Sequence, residues 1–509
     1  VSEIRMPSMH AAPEQRATPK DWLGLVVLAF AVLLIAVDGT VLDLALPFIS
    51  SDLAPSSNQL LWIIDVYSFV LAGLLITMGT LGDRVGRRYL LLIGAAGFGL
   101  ASVLAAFAGS PEMLIAARVL QGISGATLMP ATLGLIRTMF TDPRQRVMAI
   151  GLWGAMAGGG AAAGPLVGGW LLEHFWWGSV FLINIPVMLA LIAFGPLVIP
   201  ESKDPNPGKF DLLSSALSML ALVPLVYAVK ETAAHGLSVV NLAAAALGIV
   251  AGGLFIRRQR RLADPMIDLR LFANPAFSTA VFTNFLSVFA LAGVLFFGAQ
   301  YLQLVLGNTP LEAGLLLLPG TAASIVTSLV AAYLIRFFST GTVLGSGLAA
   351  AALGAALLFG LETDSGPTLF ILGFVLVGSG AGIALTLTSN LVISAVEPER
   401  AGAASAVSET AYELGIALGV AVLGTVVMSV FRRGLDVSNL ADDQASAASE
   451  TLGGAASVAH DLPAEIGAAL TDSAHVAFVT GMHAASAATA LVMAVTAVIV
   501  VVRLRARES

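Results

Sequence analysis

Five ionisable residues stand where the chain is otherwise apolar: Asp38, Asp65, Arg118, Glu409 and Glu413. A charge in hydrocarbon is costly unless it faces a cavity or a partner, so such residues mark ion or substrate pathways. Glu409 and Glu413 lie four apart in SETAYELG and therefore stack on one helix face. Two carboxylates so close in a low dielectric cannot both ionise cheaply; the pair is expected to hold one proton at neutral pH and to yield it to a bound organic cation. The blander reading has Glu409 snorkelling at a membrane interface. Asp38, Asp65 and Arg118 are expected at similar depth: about 24 Å along the first span for Asp38, and about 8 Å and 9 Å from the opposite side for the other two. Two carboxylates flanking one arginine read as a proton relay, or as a static salt bridge that fixes helix packing. Asp43, five residues past Asp38, is turned about 140° from it and reads as an interfacial acid. Trp62 shares a face with Asp65, and Tyr412 adjoins Glu413; aromatic faces attract organic cations, although Trp62 also suits an interfacial belt.

The elements that hold these residues must be membrane helices. Of 509 residues, 57% are hydrophobic and 11% charged, against about a quarter charged in soluble domains, so a water-soluble globular protein is excluded. Apolar runs predict about fourteen spans: 22–47, 60–80, 90–109, 112–135, 148–171, 178–199, 211–229, 239–256, 276–304, 311–336, 341–361, 367–394, 402–430 and 474–502. The first is too long for a signal-peptide core, contains Asp38 and lacks a cleavage site, so it is expected to be retained. An even count puts both termini on one side. That side collects Arg5, Arg16, Lys20, Arg84, Arg87, Arg88, Arg137, Arg144, Arg146, Lys203, Lys209, Arg257, Arg258, Arg260, Arg261, Arg270, Arg336, Arg400, Arg503, Arg505 and Arg507, while the other keeps Lys230, Arg432 and Arg433. The bias predicts cytoplasmic termini.

The organisation reads as a tail (1–20), a six-helix bundle (21–200), two extra helices (201–257), a basic linker (258–275), a second six-helix bundle (276–502) with an external loop at 431–473, and a tail (503–509). That loop reads as a mobile tether or a lid. With no cysteine, disulfides and thiolate metal sites are excluded. The net charge of -7, with dispersed basic residues, gives no sign of a nucleic-acid footprint, and nucleic acid is not expected as a partner. No GxxxxGK[ST] loop appears, so no ATP site is legible. No metal set or nucleophile with a base is expected at membrane depth, which argues against an enzyme; His483 reads as a packed or cavity residue.

Glycines form the remaining signal. The segment GTLGDRVGRR, residues 79–88, joins the second and third spans; GLWGAMAGGGAAAGPLVGGW in the fifth carries small residues at four-residue spacing, which let helix backbones touch. Together these segments resemble the major facilitator superfamily, and more closely its fourteen-helix drug:proton antiporters of the QacA, SmvA and LfrA type. The first cytoplasmic turn is similar at Gly79, Gly82, Asp83, Arg84, Gly86, Arg87 and Arg88; the fourth span at Arg118, Gln121, Gly122 and Gly125. The exporters' fifth-span signature matches Gly154, Gly158, Gly164, Pro165, Gly168 and Gly169, and DGTVLDLALP and WWGSVFLINIP are also family-like. Departures are Asp43 where many relatives have Asn, WWG for WRW, and IRFFSTGTVLG in place of a second glycine-rich turn.

The resemblance implies an all-α polytopic protein of the major facilitator fold. Two six-helix bundles and two inserted helices would surround a cavity that opens alternately to each side. It implies export of hydrophobic, cationic drugs such as quaternary ammonium compounds and dyes, driven by proton influx with no cofactor, from a bacterial inner membrane. Asp83 and Arg84 would belong to an inter-bundle latch and Arg118 with Asp38 to a proton-responsive pair; Asp65, Glu409 and Glu413 would exchange protons or pair with drugs. Partners would be the substrates, protons and membrane lipids, the protein acting as a monomer. Alternatives are export of an endogenous lipid or envelope component, and a receptor or scaffold that binds without transport.

Overall fold

The computed structural model describes residues 16–55, 57–205, 211–262 and 265–505, which contain helices and turns but no strand. Arg5, Lys209 and Arg507 lie outside the described residues, as do the side chains of Asp43, Pro165, Lys230 and Arg505. The first group of helices is α1 (Pro19–Leu53), α2 (Ser57–Val85), α3 (Arg87–Ala106), α4 (Pro111–Met139), α5 (Pro143–His174), α6 (Ser179–Leu182) and α7 (Asn184–Val198). Next come α8 (Leu212–His235) and α9 (Val239–Gln259). The rest is α10 (Pro275–Gln300), α11 (Pro310–Leu334), α12 (Thr340–Leu357), α13 (Thr368–Ser394), α14 (Ala401–Leu418), α15 (Gly424–Gly434), α16 (Asp442–Glu450), α17 (Leu452–Asp461) and α18 (Ala464–Arg505).

Among the described residues, thirteen helical segments are long and apolar enough to cross a membrane. The 32-residue α5 spans about 48 Å at 1.5 Å per residue and is the further long helix that the sequence places among the spans. Helix starts follow ordinary capping chemistry: Thr18 caps α1 reciprocally with Asp21, and Ser110 and Asp142 cap α4 and α5, each followed by proline in the first turn. These caps extend the helices several residues beyond their apolar runs.

Helices α1 to α7 pack on one another around a core of Leu28, Leu75, Phe98, Leu133 and Trp153. Helices α10 to α18 pack around Phe297, Phe370, Phe374, Phe431 and Phe478. The α8/α9 pair leans on α2 and α14, across the seam between the two groups. Its Arg-rich end is fastened by Asp211, which accepts two hydrogen bonds of 3.0 Å from Arg258 and caps α8 at Ser214. Burial alone would raise the Asp211 carboxyl, but the Arg258 and Ser214 hydrogen bonds outweigh it and hold the group at about 2. Because the folded value is depressed, the fastening is present above about pH 4 and is lost as pH falls through 2. Asp211→Asn is therefore expected to lower the thermal midpoint by about 1–2 °C at pH 7, the pair being partly exposed, and by only a small part of that at pH 2, where most of the contribution is gone; equal effects at both pH values would contradict this.

Segment 431–473 is neither a bare tether nor structureless. It folds into the end of α15, α16, α17 and the first turns of α18, with Ala448, Leu452 and Ala455 buried in the same core as Phe431, Leu470 and Phe478. His483 is packed, its Nε2 2.9 Å from the Leu361 carbonyl and its ring stacked on Phe359.

Candidate functional site

Two charged centres stand out, one within the first group of helices and one on α14, and α2 packs against both α4 and α14. In the first, Arg118 of α4 donates from Nη1 to Asp38 Oδ2 of α1 at 2.8 Å. The pair is sealed from solvent, at 2% and 1% exposure. Asn184, at the start of α7, donates to Asp38 Oδ1 at 2.9 Å, and Gln121 does so at 3.4 Å. Both amides also donate to Ser102 of α3 at 3.0 Å. Every polar neighbour of Asp38 is thus a donor, an arrangement complementary to a carboxylate; a proton on Asp38 would weaken its hold on Arg118. The guanidinium lies over the Tyr67 ring, 4.5 Å from its centre, with Phe181 at 5.9 Å on another side.

Helix geometry decides which α2 residue reaches Arg118. Trp62, Asp65 and Phe69 follow the three- and four-residue spacing of one face, and Trp62 stacks edge-on against Phe69, which does the same against Tyr227 of α8. That face looks toward α8 and α14. Tyr67, two residues past Asp65, is turned about 200° from it and lies on α4, where a side chain at Gly122 would run into the Tyr67 carbonyl, 2.8 Å away. Tyr67, not Asp65, completes the Arg118 centre. Similar depth did not bring Asp65 into it.

The second centre belongs to α14. Glu409 is buried at 4% exposure, Glu413 and Tyr412 are half-buried, and each carboxylate acts electrostatically on Tyr412 and on the other. Leu414 and Ala417, on the following turn, pack with Phe69, Val226 and Tyr227, so this part of α14 faces α2 and α8. Trp62 is 39% exposed.

At the Arg-rich end the two bundles are fastened together. Asp83, near the end of α2, accepts from the backbone N–H groups of Gly402 at 3.0 Å and Ala403 at 2.9 Å, the first turn of α14. Free N–H groups and the helix dipole favour a carboxylate there. Arg87 holds Asp83 at 2.8 Å and reaches the Pro398 carbonyl at 2.7 Å, while also donating to Ser202 and Thr138. Arg87, fully buried, therefore carries the ties beside Asp83. Arg84 instead lines a cavity of about 420 Å³ beneath the linker, with Asp204, Asp268 and Arg400. Arg88 donates to the Ile199 carbonyl at 2.9 Å, within its own bundle. Gly86 has φ +116°, and a side chain would also strike Glu201. Close approach explains Gly79, whose missing side chain leaves room for Gly402 and Ala406, whereas Gly82 faces Leu90 in ordinary contact.

Further ties at this end run from Arg146 of α5 to Asn390 and Ser394 of α13, and from Arg137 to the Ile393 carbonyl. In α5 the glycines divide between two neighbours. Gly151, Gly154 and Gly158 face α11 and α13 through Ser328, Leu385 and Ile325, whereas Gly160 and Gly164 admit the α1 backbone at Leu33 and the Thr40 side chain. Gly168 is buried, and Gly169 has open space beside it. The small-residue helix thus lies between α1 and the opposite bundle.

Sequence reasoning did not single out Tyr67, Ser102 or Asn184. Each is a polar residue inside an apolar span, a signal weaker than a charge but of the same kind.

Comparison with known proteins agrees with this architecture. The family model described as Major Facilitator Superfamily matches residues 28–420. The chain is 47% identical over 499 residues to the multidrug efflux pump LfrA of Mycolicibacterium smegmatis, covering 98% of this chain and 99% of that one. It is 38% identical over 465 residues to the methyl viologen resistance protein SmvA of Salmonella typhimurium, covering 90% and 93%. Among solved structures, the human organic anion transporter MFSD10 (TETRAN) superposes with a TM-score of 0.62 over 96% of this chain and 100% of its own, at 16% identity, a likeness of fold. The chain belongs to the major facilitator superfamily, and is a multi-pass membrane transporter rather than an enzyme.

Proposed function

We propose that the protein is a drug exporter of a bacterial inner membrane that exchanges hydrophobic organic cations for protons by alternating access. The observation that carries this reading is the buried Glu409 with Glu413 and Tyr412 at the seam between bundles. Carboxylates with an aromatic neighbour suit either a proton or a desolvated organic cation, and not both at once. The relatives named for multidrug efflux and methyl viologen resistance support drug export, and the second name supports a cationic substrate. The excess of arginine at the latched end supports a cytoplasmic location for that end and for both termini. On this reading the described arrangement is closed to the cytoplasm. The proton gradient is the energy source, no cofactor takes part, and the working unit is a monomer in contact with lipid.

Inverted vesicles energised with a proton gradient are expected to accumulate ethidium, to release it when a protonophore is added, and to lose accumulation about 100-fold with Glu413→Gln. Undiminished accumulation in that variant would remove the α14 carboxylates from coupling.

A further inference from the structure

The cavity at the Arg-rich end, about 420 Å³, has the size of sites that take drug-like molecules. Three parts of the chain wall it: the end of α2 with Asp83 and Arg84, the linker with Met266, Ile267 and Leu271, and the turn into α14 with Glu397, Arg400 and Ala403. Its apolar side is packed in place, because Met266 and Ile267 are buried in one cluster with Ile76 of α2 and Ala404 and Val407 of α14. Its charged side is uneven. Among the described residues the lining holds the carboxylates of Asp83, Asp204, Asp268 and Glu397 but the guanidiniums of Arg84 and Arg400 alone. Arg87, which binds Asp83, is outside the lining, and the Arg270 side chain, 3.4 Å from Asp268, is 88% exposed and holds it weakly. At an end otherwise rich in arginine, carboxylates outnumber cations here. An apolar wall beside surplus carboxylates is complementary to a hydrophobic organic cation.

We propose that this cavity is a second site for hydrophobic organic cations, apart from the α14 carboxylates, and that a cation bound there holds the cytoplasmic end shut. This rests on the exporter reading above and adds a regulation to it: excess substrate on the cytoplasmic side slows its own export. The reason is geometric. Opening this end draws Asp83 away from the N–H groups of Gly402 and Ala403, and so parts the α2 wall of the cavity from the α14 wall. The cavity is whole only in the closed arrangement, and a ligand that contacts both walls stabilises that arrangement through its differential affinity. At ten times its dissociation constant such a ligand lowers the open fraction about 10-fold.

Inverted vesicles present this end to added ethidium. Wild-type uptake is expected to rise with ethidium concentration, pass a maximum and fall several-fold. Asp268→Asn with Glu397→Gln removes two charges, keeps a side-chain acceptor for the Arg270 N–H, and should keep the rise and lose the fall. Val396→Trp fills the cavity from its wall without changing charge and should do the same. Binding is read apart from transport in Glu409→Gln with Glu413→Gln, where the α14 carboxylates are neutral: tetraphenylphosphonium should still bind, and should cease to bind once Asp268→Asn and Glu397→Gln are added. Wild-type uptake that saturates without decline would overturn the proposal, as would a decline that survives both cavity variants, or loss of all binding when the α14 carboxylates alone are neutral. A wild type that takes up no ethidium at any concentration would overturn the exporter reading instead, while the binding measurement still decides the cavity.

Discussion

Arg118→Leu is expected to destabilise the protein by about 3–5 kcal/mol and to abolish proton-driven transport, the largest effect of any single change considered. The figure is that of breaking a buried pair by removing one partner, which leaves the other charge uncompensated. Asp38 would be left with only Asn184 and Gln121 as donors at a site that is 1% exposed. The double variant Asp38→Asn with Arg118→Leu removes both charges, so most of the stability should return while transport does not. Thermal unfolding in detergent and transport in vesicles would be measured on all three proteins. Transport in either variant at more than a few per cent of wild type would show the pair to be packing alone.

Asp83→Asn addresses the tie between the two bundles. The carboxylate makes charge-assisted bonds to Gly402, Ala403 and Arg87, all buried or half-buried, and the first two cross between bundles. An asparagine keeps one acceptor oxygen, loses the charge that suits the α14 N-terminus, and presents an amide donor to N–H groups that need an acceptor. About 2 kcal/mol should be lost from the closed arrangement only, shifting the equilibrium toward the cytoplasm-open state about 30-fold. The chain has no cysteine, so Arg144→Cys with Phe338→Cys places one spin label on each bundle without further changes. Asp83→Asn should add a longer-distance population; an unchanged distance distribution would mean that Arg87, Arg137 and Arg146 suffice to hold this end.

Much of the site was legible because charge in an apolar run is a strong signal. Asp38 and Arg118 meet as their depths predicted, and Glu409 and Glu413 share a face because four residues make about one turn. Asp65 shows what depth omits: two residues of difference from Tyr67 put it on the α8 side, and azimuth depends on where the neighbouring helices lie. Asn184 and Ser102 carry no charge and lie in spans that read as uniformly apolar, yet they complete the Asp38 network. The glycines of α5 were legible as contact points but not as two sets facing different partners. In segment 431–473, abundant Ala, Ser and Asp resembles linker composition, and only the burial of Ala448, Leu452 and Ala455 marks it as a packed cap. The latch was read from its glycines and acid; that Arg87 rather than Arg84 backs Asp83 follows from the four-residue step from α2 into α3.

The central claim is exchange of a cation for a proton at the α14 carboxylates, and the most direct test follows protons. A pH-sensitive dye in energised inverted vesicles would be monitored as ethidium or a quaternary ammonium compound is added, with Glu413→Gln alongside. The account predicts proton release on addition in the wild type and none in the variant. Substrate movement with no proton movement in folded, inserted wild-type protein would contradict it.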